Sequence, residues 1–325
     1  MKMDLNQIKK NIASDWANFQ TCFRQATLSE VSLINDVNSH ILKRSGKQLR
    51  PLLVMLSSRI CGKTNENVYA AATAVEMLHT ASLLHDDVVD NADQRRGEAS
   101  VKANWQSKVA VLTGDYWLSK AAQLIVDCKK DKMFSLFTTC LMNLSEGELF
   151  QLQKTASLDN SEQDYLTIIE KKTAILLATC TALGAIATDA SPEIEQRMYE
   201  IGYNMGMAFQ IKDDIFDYET RNHTGKSVGN DIRERKITLP LLYSLKQASK
   251  EEQPEVMQWI KNVTEKPENV SRIIKFVHKN NGIVYTIEKM KSYSQKAVNI
   301  LLTFPDTTDR QAMISLAEYM STRKK

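Results

Sequence analysis

One stretch of the chain decides its fold class: Ala70-Ala71-Ala72-Thr73-Ala74-Val75-Glu76-Met77-Leu78-His79-Thr80-Ala81-Ser82-Leu83-Leu84-His85-Asp86-Asp87-Val88-Val89-Asp90. Residues 70–84 are apolar nearly all round, as in a helix buried at the centre of a bundle, and residues 174–187 share this pattern. Apolar residues recur at three- and four-residue spacing in segments that we predict to be helical: 52–60, 69–84, 109–126, 134–152, 165–188 and 194–218. Only 11 Gly and 6 Pro occur among 325 residues, too few for a strand-rich fold. The sequence predicts an all-α helical bundle.

The polar breaks between these segments are short, and none has the length of a domain linker. Two of them, 159–162 and 189–192, contain good helix-capping residues. The stretch 219–236 is too polar for a core and too glycine-rich for one regular helix, so we predict a loop over a site. Beyond Pro240 the helices become shorter and more amphipathic. We predict a single domain over residues 1–325, with a core bundle at about 30–240 and outer helices at about 241–325.

Composition excludes several functional classes. The 42 basic and 39 acidic side chains nearly balance, which argues against a nucleic-acid-binding surface. The five cysteines never form a Cys-x-x-Cys pair, so neither a zinc site nor a disulfide framework is expected: Cys22, Cys61, Cys128, Cys140 and Cys180. Residues 1–7 lack the apolar core of a signal peptide, and no stretch reaches the ~18 apolar residues of a membrane span. We expect a cytoplasmic protein.

Two acidic clusters share one spacing. The first, Asp86-Asp87-Val88-Val89-Asp90, and the second, Asp213-Asp214-Ile215-Phe216-Asp217, both end a predicted apolar helix. On a helix Asp86 and Asp90 lie one turn apart, where like charges cost a few tenths of a kcal/mol unless a cation lies between them. A single cluster of this kind is as readily a solvated helix end. Two clusters with identical spacing favour cation binding.

Carboxylates are hard oxygen ligands suited to Mg²⁺, which takes one or two from the protein and completes its octahedron with water and substrate phosphates. Two such clusters facing each other across a bundle would clamp a diphosphate. Basic side chains that could balance this anion are also present: Lys47, Arg50, Arg95 and Arg96. Arginine matches phosphate oxygens bidentately, although any one of these cations alone is more readily explained as a surface charge. The pattern predicts a magnesium-dependent diphosphate site.

Two histidines precede the first cluster. His79 lies seven residues before Asp86, two turns earlier on about the same helix face. We therefore favour a phosphate contact over the alternative of a satisfied core histidine. His85 is turned about 100° around the helix from Asp86, and a structural role is the simpler interpretation.

Several motifs carry a resemblance to a known family: Gly46-Lys47-Gln48-Leu49-Arg50-Pro51, the stretch 76–90 with Arg95-Arg96-Gly97, Gly114-Asp115, Lys172-Thr173, the stretch 209–218, the stretch 225–231 and Lys236-Ile237-Thr238-Leu239-Pro240. On these motifs, which cover most of the chain, it resembles the trans-type isoprenyl diphosphate synthases, and among them the long-chain polyprenyl (octaprenyl- or solanesyl-like) diphosphate synthases. The resemblance implies the all-helical isoprenoid synthase bundle with a central cavity. It also implies a homodimer whose membrane contact, for product release, would be peripheral.

The resemblance further implies roles for individual residues. Isopentenyl diphosphate would be bound by Lys47, Arg50, His79 and Arg96. About two or three Mg²⁺ ions would be held by Asp86, Asp90 and Asp213. The allylic diphosphate, or the carbon that becomes cationic, would contact Arg95, Lys172, Thr173, Gln210, Lys226 and Lys236. The implied catalytic set is Asp86, Asp87, Asp90, Asp213, Asp214, Asp217, Lys172, Thr173 and Gln210, in which Asp87, Asp214 and Asp217 complete the acidic shells.

One motif departs from the family pattern. Where members usually show Glu-Gly-Lys-Pro-Thr-Leu-Pro, this chain has Glu234-Arg235-Lys236-Ile237-Thr238-Leu239-Pro240. Arg235 and Ile237 thus replace a flexible glycine and a proline. The departure puts loop closure in question rather than the chemistry.

The implied reaction condenses isopentenyl diphosphate head-to-tail with an allylic diphosphate such as farnesyl diphosphate and releases pyrophosphate. No nucleophilic triad is needed, since Mg²⁺ and cationic side chains would stabilise the charge that develops on the leaving pyrophosphate. Oxygens of Thr173 and Gln210 could stabilise the allylic cation without capturing it, and pyrophosphate could accept the final proton.

Product length is a steric question. Ala81 and Ser82 stand five and four residues before Asp86, where short-chain members of the family carry an aromatic plug. Each isoprene unit needs roughly one more helical turn, about 5 Å, of tunnel depth, so these small side chains predict growth past about fifteen carbons. Our hypothesis is a product of about eight units, as in a quinone side chain. Met77, with Leu118 and Leu124, is a candidate for the tunnel floor, although each alone is more readily explained as core packing.

Three other readings of the motifs compete. A class I terpene cyclase keeps one Asp-Asp-x-x-Asp but typically carries an Asn/Ser/Glu motif in place of the second. A ferritin-like di-iron oxidase needs two Glu-x-x-His motifs, and Glu76-Met77-Leu78-His79 supplies only one. A non-catalytic partner subunit would show degraded acidic motifs, whereas both are intact here. The allylic primer and the pathway served stay open.

Overall fold

The protein is described by a computed structural model that covers residues 3–43, 46–95, 97–219 and 228–323. Within these ranges the chain forms α-helices, one π-helical turn at Glu170–Ala174 and an antiparallel hairpin of β1 (Gln94–Arg95) and β2 (Glu98–Ala99). The helices are α1 (Leu5–Asn11), α2 (Ala13–Ala26), α3 (Ser32–Leu42), α4 (Leu49–Cys61), α5 (Glu66–Val89), α6 (Val101–Asp127), α7 (Asp131–Ser157), α8 (Glu162–Ile169), α9 (Ile175–Ala187), α10 (Pro192–Phe216), α11 (Asn230–Arg233), α12 (Leu239–Gln247), α13 (Glu252–Lys261), α14 (Asn269–Lys279), α15 (Gly282–Leu301) and α16 (Thr308–Thr322). The predicted all-α class is confirmed.

Five of the six predicted helical segments correspond to single helices, namely α4, α5, α6, α7 and α10. Most extend beyond the apolar pattern because polar residues cap and complete their ends. Asn65 caps α5 by accepting a hydrogen bond from the backbone N–H of Val68. The sixth segment, 165–188, is interrupted by the π-turn between α8 and α9, and Ser161 begins α8 with a capping box that includes Asp164.

The chain separates into two compact units, each drawn from three stretches of sequence. The first draws its described residues from Met1–Thr139, Thr179–Tyr199 and Thr307–Met313. The second draws them from Cys140–Ala178, Glu200–Asp306 and Ile314–Lys325. The expectation of a single domain stays a prediction.

In the first unit α5 is deeply buried. Residues 71–78 of this helix are all buried, and it packs against α4 and α6. On α6 the fully buried Trp117 donates its indole N–H to Asn38 over 2.8 Å. An apolar cluster that includes Val37, Leu84 and Val101 lies at the end of α5 that carries the first acidic cluster. The all-round apolar pattern of the sequence thus corresponds to a central helix of this unit.

The second unit has two apolar clusters. One includes Tyr165, Ile211 and Leu239 and joins α8, α10, α12 and α15. The other includes Ile237 and Val277 and joins α11, α12, α13 and α14. In neither unit does a described helix have the length and apolarity needed to cross a bilayer.

Candidate functional site

The first acidic cluster lies at the C-terminal end of α5. Its backbone continues the helical pattern, since the N–H of Asp90 donates to the carbonyl oxygen of Asp86 over 2.8 Å. The two carboxylates are therefore one turn apart, as the spacing predicts. Asp86 is half-buried and Asp90 is exposed.

Asp87, between them, is 2% exposed and has a defined partner. The guanidinium Nε of Arg95, on β1, donates to its Oδ1 over 2.6 Å. Burial raises the pKa of Asp87, and the bond from Arg95 opposes that rise. Arg95, assigned by resemblance to the allylic diphosphate, thus pairs with the first cluster, and its role toward a diphosphate stays a prediction.

An open cavity of ≈ 790 Å³, solvent-open mouth included, lies beside this cluster in the first unit. Its lining includes residues of the motifs quoted above, among them Gly46, Gln48, His79, Asp87 and Arg95. Gln48 has a left-handed backbone, with φ of 53°, and turns the chain into α4.

The structure does not bring all of the predicted cations into this cavity. Lys47 is exposed and Arg50 lies half-buried in the first turn of α4, and neither belongs to the cavity lining. Arg96 lies outside the described residues. The contacts of His85 support a structural role, because its Nε2 is 3.2 Å from the carbonyl oxygen of Val111 and 3.3 Å from Asp115.

The residues proposed to set the product length all lie in the first unit. Ala81 and Met77 are fully buried on α5, whereas Ser82 is half-buried and donates its hydroxyl to the carbonyl oxygen of His79 over 2.9 Å. Leu118 and Leu124 are half-buried on α6. Their burial suits a tunnel wall and core packing alike, so the assignment stays a prediction.

The second acidic cluster lies at the end of α10 in the second unit. Asp213 pairs with the guanidinium of Arg323, near the end of the chain. Asp214, 4% exposed, accepts hydrogen bonds from the Tyr165 hydroxyl over 2.7 Å and from Gln210 Nε2 over 2.9 Å. Burial, and then the negative charge of Asp231, raise the pKa of Asp214 well above its usual range.

The third carboxylate of this cluster has a different environment. Asp217 follows the end of α10 and accepts the backbone N–H groups of Asn230, over 2.8 Å, and of Asp231, over 3.0 Å. It therefore holds the N-terminus of α11. Burial raises the pKa of Asp217, while these N–H groups lower it. That Asp217 completes the acidic shell of the second cluster stays a prediction.

The π-turn presents two of the predicted residues. Thr173 donates its hydroxyl to Gln210 Oε1 over 2.8 Å. The Lys172 ammonium lies 2.8 Å from Gln151 Oε1 and 2.6 Å from Glu148 Oε1, both on α7. π-turns are rare and occur frequently at functional sites.

Two glycines let helices approach this turn closely. A Cβ atom on Gly206 would lie 2.5 Å from the Cα of Ala174, and one on Gly147 would lie 2.7 Å from the Cβ of Lys171. Neither distance is sterically tolerable. The close approach of α10 brings Gln210, one turn beyond Gly206, to Thr173.

A second cavity, of ≈ 650 Å³ with its open mouth, lies in the second unit and is lined by Lys172 of the π-turn but not by Thr173. From the predicted set it brings together Lys172, Gln210, Asp214 and Lys236, and Lys226 lies outside the described residues. The Lys236 ammonium is 2.5 Å from Glu234. Six further polar residues line the cavity without having been assigned a role from the sequence, namely Gln151, Thr155, Asn160, Tyr165, Asp231 and Thr238. Asp231 and Thr238 belong to motifs quoted for the family resemblance, whereas the other four have no spacing that links them to the acidic cluster, so no local signal marked those four.

The stretch 219–236 is the segment that we predict to be a loop over a site. Residues 220–227 of this stretch lie outside the described residues. From residue 228 the chain forms a turn, α11 and an extended stretch that leads into α12. Arg235 has φ of 57°, in the left-handed region, where the family pattern has glycine. Ile237, in place of proline, is 4% exposed and packs into the second unit's core.

The acidic residues fit magnesium better than a transition metal. Among the described residues no group of three or more His, Cys, Asp or Glu side chains converges as a dedicated metal cage. Mg²⁺ needs none, because one or two carboxylates suffice when phosphates and water complete its octahedron. Asp86 and Asp90, one turn apart, and the partly exposed Asp213 meet that requirement.

Known proteins with similar sequences and structures extend over nearly the whole chain. The family model described as polyprenyl synthetase matches residues 31–277. A heptaprenyl diphosphate synthase component 2 from Bacillus subtilis is 33% identical over 92% of this chain and 85% of its own. An octaprenyl diphosphate synthase from Haemophilus influenzae is 33% identical over 98% of this chain and 97% of its own. A polyprenyl synthase from Caulobacter crescentus, solved with calcium and isoprenyl diphosphate, is 30% identical, covers 100% of this chain and 99% of its own, and superposes with a TM-score of 0.91.

Proposed function

The chain belongs to the polyprenyl synthetase family, and from this premise we propose that it condenses isopentenyl diphosphate with an allylic diphosphate to an all-trans polyprenyl diphosphate of about eight isoprene units. That it is a prenyltransferase with the isoprenoid synthase fold follows from its nearly full-length relatives. The observation that carries the finer proposal is the pair of identically spaced aspartate clusters, each at the C-terminal end of an apolar helix.

Product length is the least constrained part of the proposal. The two relatives named above make heptaprenyl and octaprenyl diphosphate, according to their names, at equal identity to this chain. The small Ala81 and half-buried Ser82 before the first cluster support a long product. We favour about eight units, made from a primer such as farnesyl diphosphate and destined for a quinone side chain.

We assign Asp86, Asp90 and Asp213 to Mg²⁺, about two or three ions in all. When bound, the metal would neutralise charge on the departing diphosphate. The chain's own cations would contribute to the same neutralisation, with Arg95, Lys172, Lys226 and Lys236 toward the allylic diphosphate, and Lys47, Arg50, His79 and Arg96 toward isopentenyl diphosphate. Lys172 suits this role because Glu148 and Gln151 hold its ammonium at the edge of the second cavity.

The oxygens of Thr173 and Gln210 have a different role in this proposal. Gln210 bonds the buried Asp214 through Nε2 and accepts from Thr173 at Oε1, and the two oxygens would face the carbon that becomes cationic once the diphosphate departs. Because neither oxygen is ionised, they would stabilise the cation without capturing it. Asp87 and Asp217 would act through the groups they bind, Arg95 and the N-terminus of α11.

We further propose a cytoplasmic homodimer that touches membranes only to release its product. The Bacillus subtilis relative is named as one component of an enzyme, whereas the Haemophilus influenzae relative is not. Light scattering on the purified chain distinguishes these cases, since a homodimer has twice the 36.9 kDa mass without any added subunit.

The test is pyrophosphate release from farnesyl and isopentenyl diphosphates. We expect release that requires Mg²⁺ and falls roughly a hundredfold in Asp86→Asn and in Asp213→Asn. Asp127→Asn is the matched control, because this exposed carboxylate at the end of α6 only accepts a bond from Gln123. No release at high enzyme concentration, from a chain that is monodisperse and folded, would favour the non-catalytic partner subunit instead.

A further inference from the structure

Four side chains in the second unit form a continuous line of hydrogen bonds. Tyr165, on α8, donates to Asp214 Oδ2 over 2.7 Å, and Gln210 donates through Nε2 to Asp214 Oδ1 over 2.9 Å. Thr173, on the π-turn, donates to Gln210 Oε1 over 2.8 Å. The line thus joins α8, α10 and the π-turn.

Every bond in this line points toward Asp214. Both oxygens of Asp214 accept a hydrogen bond, Oδ2 from the Tyr165 hydroxyl and Oδ1 from Nε2 of Gln210. The amide of Gln210 is thereby oriented, with its NH₂ toward Asp214 and its carbonyl oxygen toward Thr173. The opposite orientation would place the amide oxygen of Gln210 against Asp214 Oδ1 and lose the bond that Nε2 donates to it.

This direction has an electrostatic consequence. The proton of the Thr173 hydroxyl and one amide proton of Gln210 are both used within the line. What these groups can still offer a ligand is mainly oxygen lone pairs, which attract a cation. Tyr165, Gln210 and Asp214 line the second cavity, whereas Thr173 contacts Gln210 and is not itself a lining residue.

We propose that Tyr165 is a positioning residue for the allylic cation. By holding Asp214 Oδ2, it keeps the carboxylate in the rotamer that orients the Gln210 amide, and so keeps the Gln210 oxygen, to which Thr173 donates, turned toward the cationic carbon. Tyr165 is 3% exposed and packs against Ile211 and Leu239 in the same apolar cluster, so its ring cannot shift to follow a rotated carboxylate. The inference rests on the proposed function, because it presumes that a carbocation forms in this cavity.

A binding experiment tests the inference apart from turnover. The probe is farnesyl dimethylamine, which is cationic at neutral pH, titrated calorimetrically into the full chain with Mg²⁺ and inorganic pyrophosphate, and compared with neutral farnesol. We expect Tyr165→Phe to weaken binding of the amine by roughly tenfold to a hundredfold, the usual effect of losing a hydrogen bond to a charged group. Binding of pyrophosphate alone and of farnesol should change less than about twofold.

The matched control is Tyr203→Phe. This tyrosine lies in the same unit, and its hydroxyl donates over 3.2 Å to Glu170 of the π-turn, so the control also removes a tyrosine hydroxyl from that turn. Its amine and pyrophosphate affinities should equal those of the unsubstituted chain. If Tyr165→Phe does not fold, Thr173→Val, which removes the hydroxyl at the other end of the line at constant volume, should weaken the amine selectively.

Three outcomes would overturn the inference: no selective binding of the amine by the unsubstituted chain, an unchanged amine affinity in Tyr165→Phe, or an equal loss of amine and pyrophosphate affinity, which indicates a merely structural role. In turnover, Tyr165→Phe should lower kcat by a similar factor and leave the KM for isopentenyl diphosphate unchanged. A selective amine effect in a chain that releases no pyrophosphate would overturn the proposed function, and with it the role toward an allylic cation, and would show only that Tyr165 supports a cation-binding site.

Discussion

Arg323 pairs with Asp213 across 110 residues of sequence. Its guanidinium also lies 3.9 Å from the ring centroid of Phe209 and 5.5 Å from that of Phe216, and its side chain is only 11% exposed. Asp213 is the carboxylate of the second cluster that we assign to Mg²⁺. The positive charge of the guanidinium at this carboxylate opposes the binding of a metal cation there.

Replacing Arg323 should therefore strengthen metal binding. In Arg323→Gln the affinity for Mg²⁺, measured by calorimetry without substrate, should rise about fivefold, because an ion pair of this partial exposure contributes about 1 kcal/mol. Arg272→Gln, which removes an exposed cation from α14 of the same unit, should leave the affinity unchanged. A weaker or unchanged affinity in Arg323→Gln would show that Arg323 does not compete with the metal.

Enlarging Ala81 should shorten the product. The side chain is fully buried on α5, five residues before Asp86, so a ring placed there would block a tunnel that starts at the first cluster. Chromatography of the dephosphorylated products should show progressively shorter chains in Ala81→Val and Ala81→Phe. Ala312→Phe, at a buried position on α16, should cost a comparable 1–3 kcal/mol or so of stability through overpacking, with unchanged product lengths. Unchanged lengths in Ala81→Phe would refute the tunnel assignment.

Relieving the backbone strain at Arg235 should stabilise the protein. A non-glycine residue in the left-handed region destabilises the folded state by roughly 1–2 kcal/mol. Glycine removes this strain, but it also raises the conformational entropy of the unfolded chain, which offsets part of the gain in stability. With φ of 57° at this position, Arg235→Gly should raise the free energy of unfolding by about 0.5–1 kcal/mol in urea titrations. Arg233→Gly, at the end of α11, should lower it by a similar amount, because glycine is disfavoured in a helix. Equal destabilisation by both would indicate that the backbone at Arg235 is not strained.

Adding a methyl group at Gly206 should separate α10 from the π-turn. Because the new Cβ would lie 2.5 Å from the Cα of Ala174, the bond from Thr173 to Gln210 must lengthen. We expect Gly206→Ala to lower kcat at least tenfold, since displacements of about 1 Å at a reacting centre have effects up to a hundredfold. Gly62→Ala, whose Cβ would lie 3.2 Å from Thr188 in the first unit, should keep most of the activity. Full activity in Gly206→Ala would show that the spacing of Thr173 and Gln210 is not critical.

The carboxylate of Asp15 should make the first unit sensitive to acid. It accepts hydrogen bonds from Arg59 over 2.8 Å, Thr64 over 2.7 Å and Tyr69 over 2.8 Å. Burial opposes ionisation, but these three donors outweigh it and lower the pKa of Asp15. A carboxyl whose folded pKa lies below the unfolded value of about 3.9 stabilises the fold above that pH and loses its contribution as the pH falls through the folded pKa.

Asp15→Asn should accordingly lower the free energy of unfolding by about 2 kcal/mol at pH 7. The difference from the unsubstituted chain should narrow below about pH 4, where that chain loses the same contribution. Urea unfolding at several pH values measures both. Asp127→Asn, at an exposed carboxylate, should show neither effect, and a difference independent of pH would mean that the charge of Asp15 is not what stabilises the unit.

Local pattern determined the fold class and the first acidic cluster. The apolar stretch before Asp86 predicts a buried helix because helical periodicity is a property of consecutive residues, and α5 has residues 71–78 buried. The spacing of Asp86 and Asp90 likewise predicts their separation by one turn, which the hydrogen bond between their backbones confirms. The resemblance to the isoprenyl diphosphate synthases, carried by contiguous motifs, is confirmed by the family match.

The environment of the second cluster was decided only by tertiary structure. Tyr165 reaches Asp214 across 49 residues and Arg323 reaches Asp213 across 110, and no periodicity links partners so far apart in sequence. The π-turn adds a residue to what reads as one continuous helix, and close packing against Gly147 and Gly206 accommodates it. Asp217, identical in spacing to Asp90, holds the N-terminus of α11 instead of facing solvent. Equal spacing gave the two clusters the same local geometry, but each carboxylate's partners depend on which distant segments pack against it, and packing is a property of the folded chain.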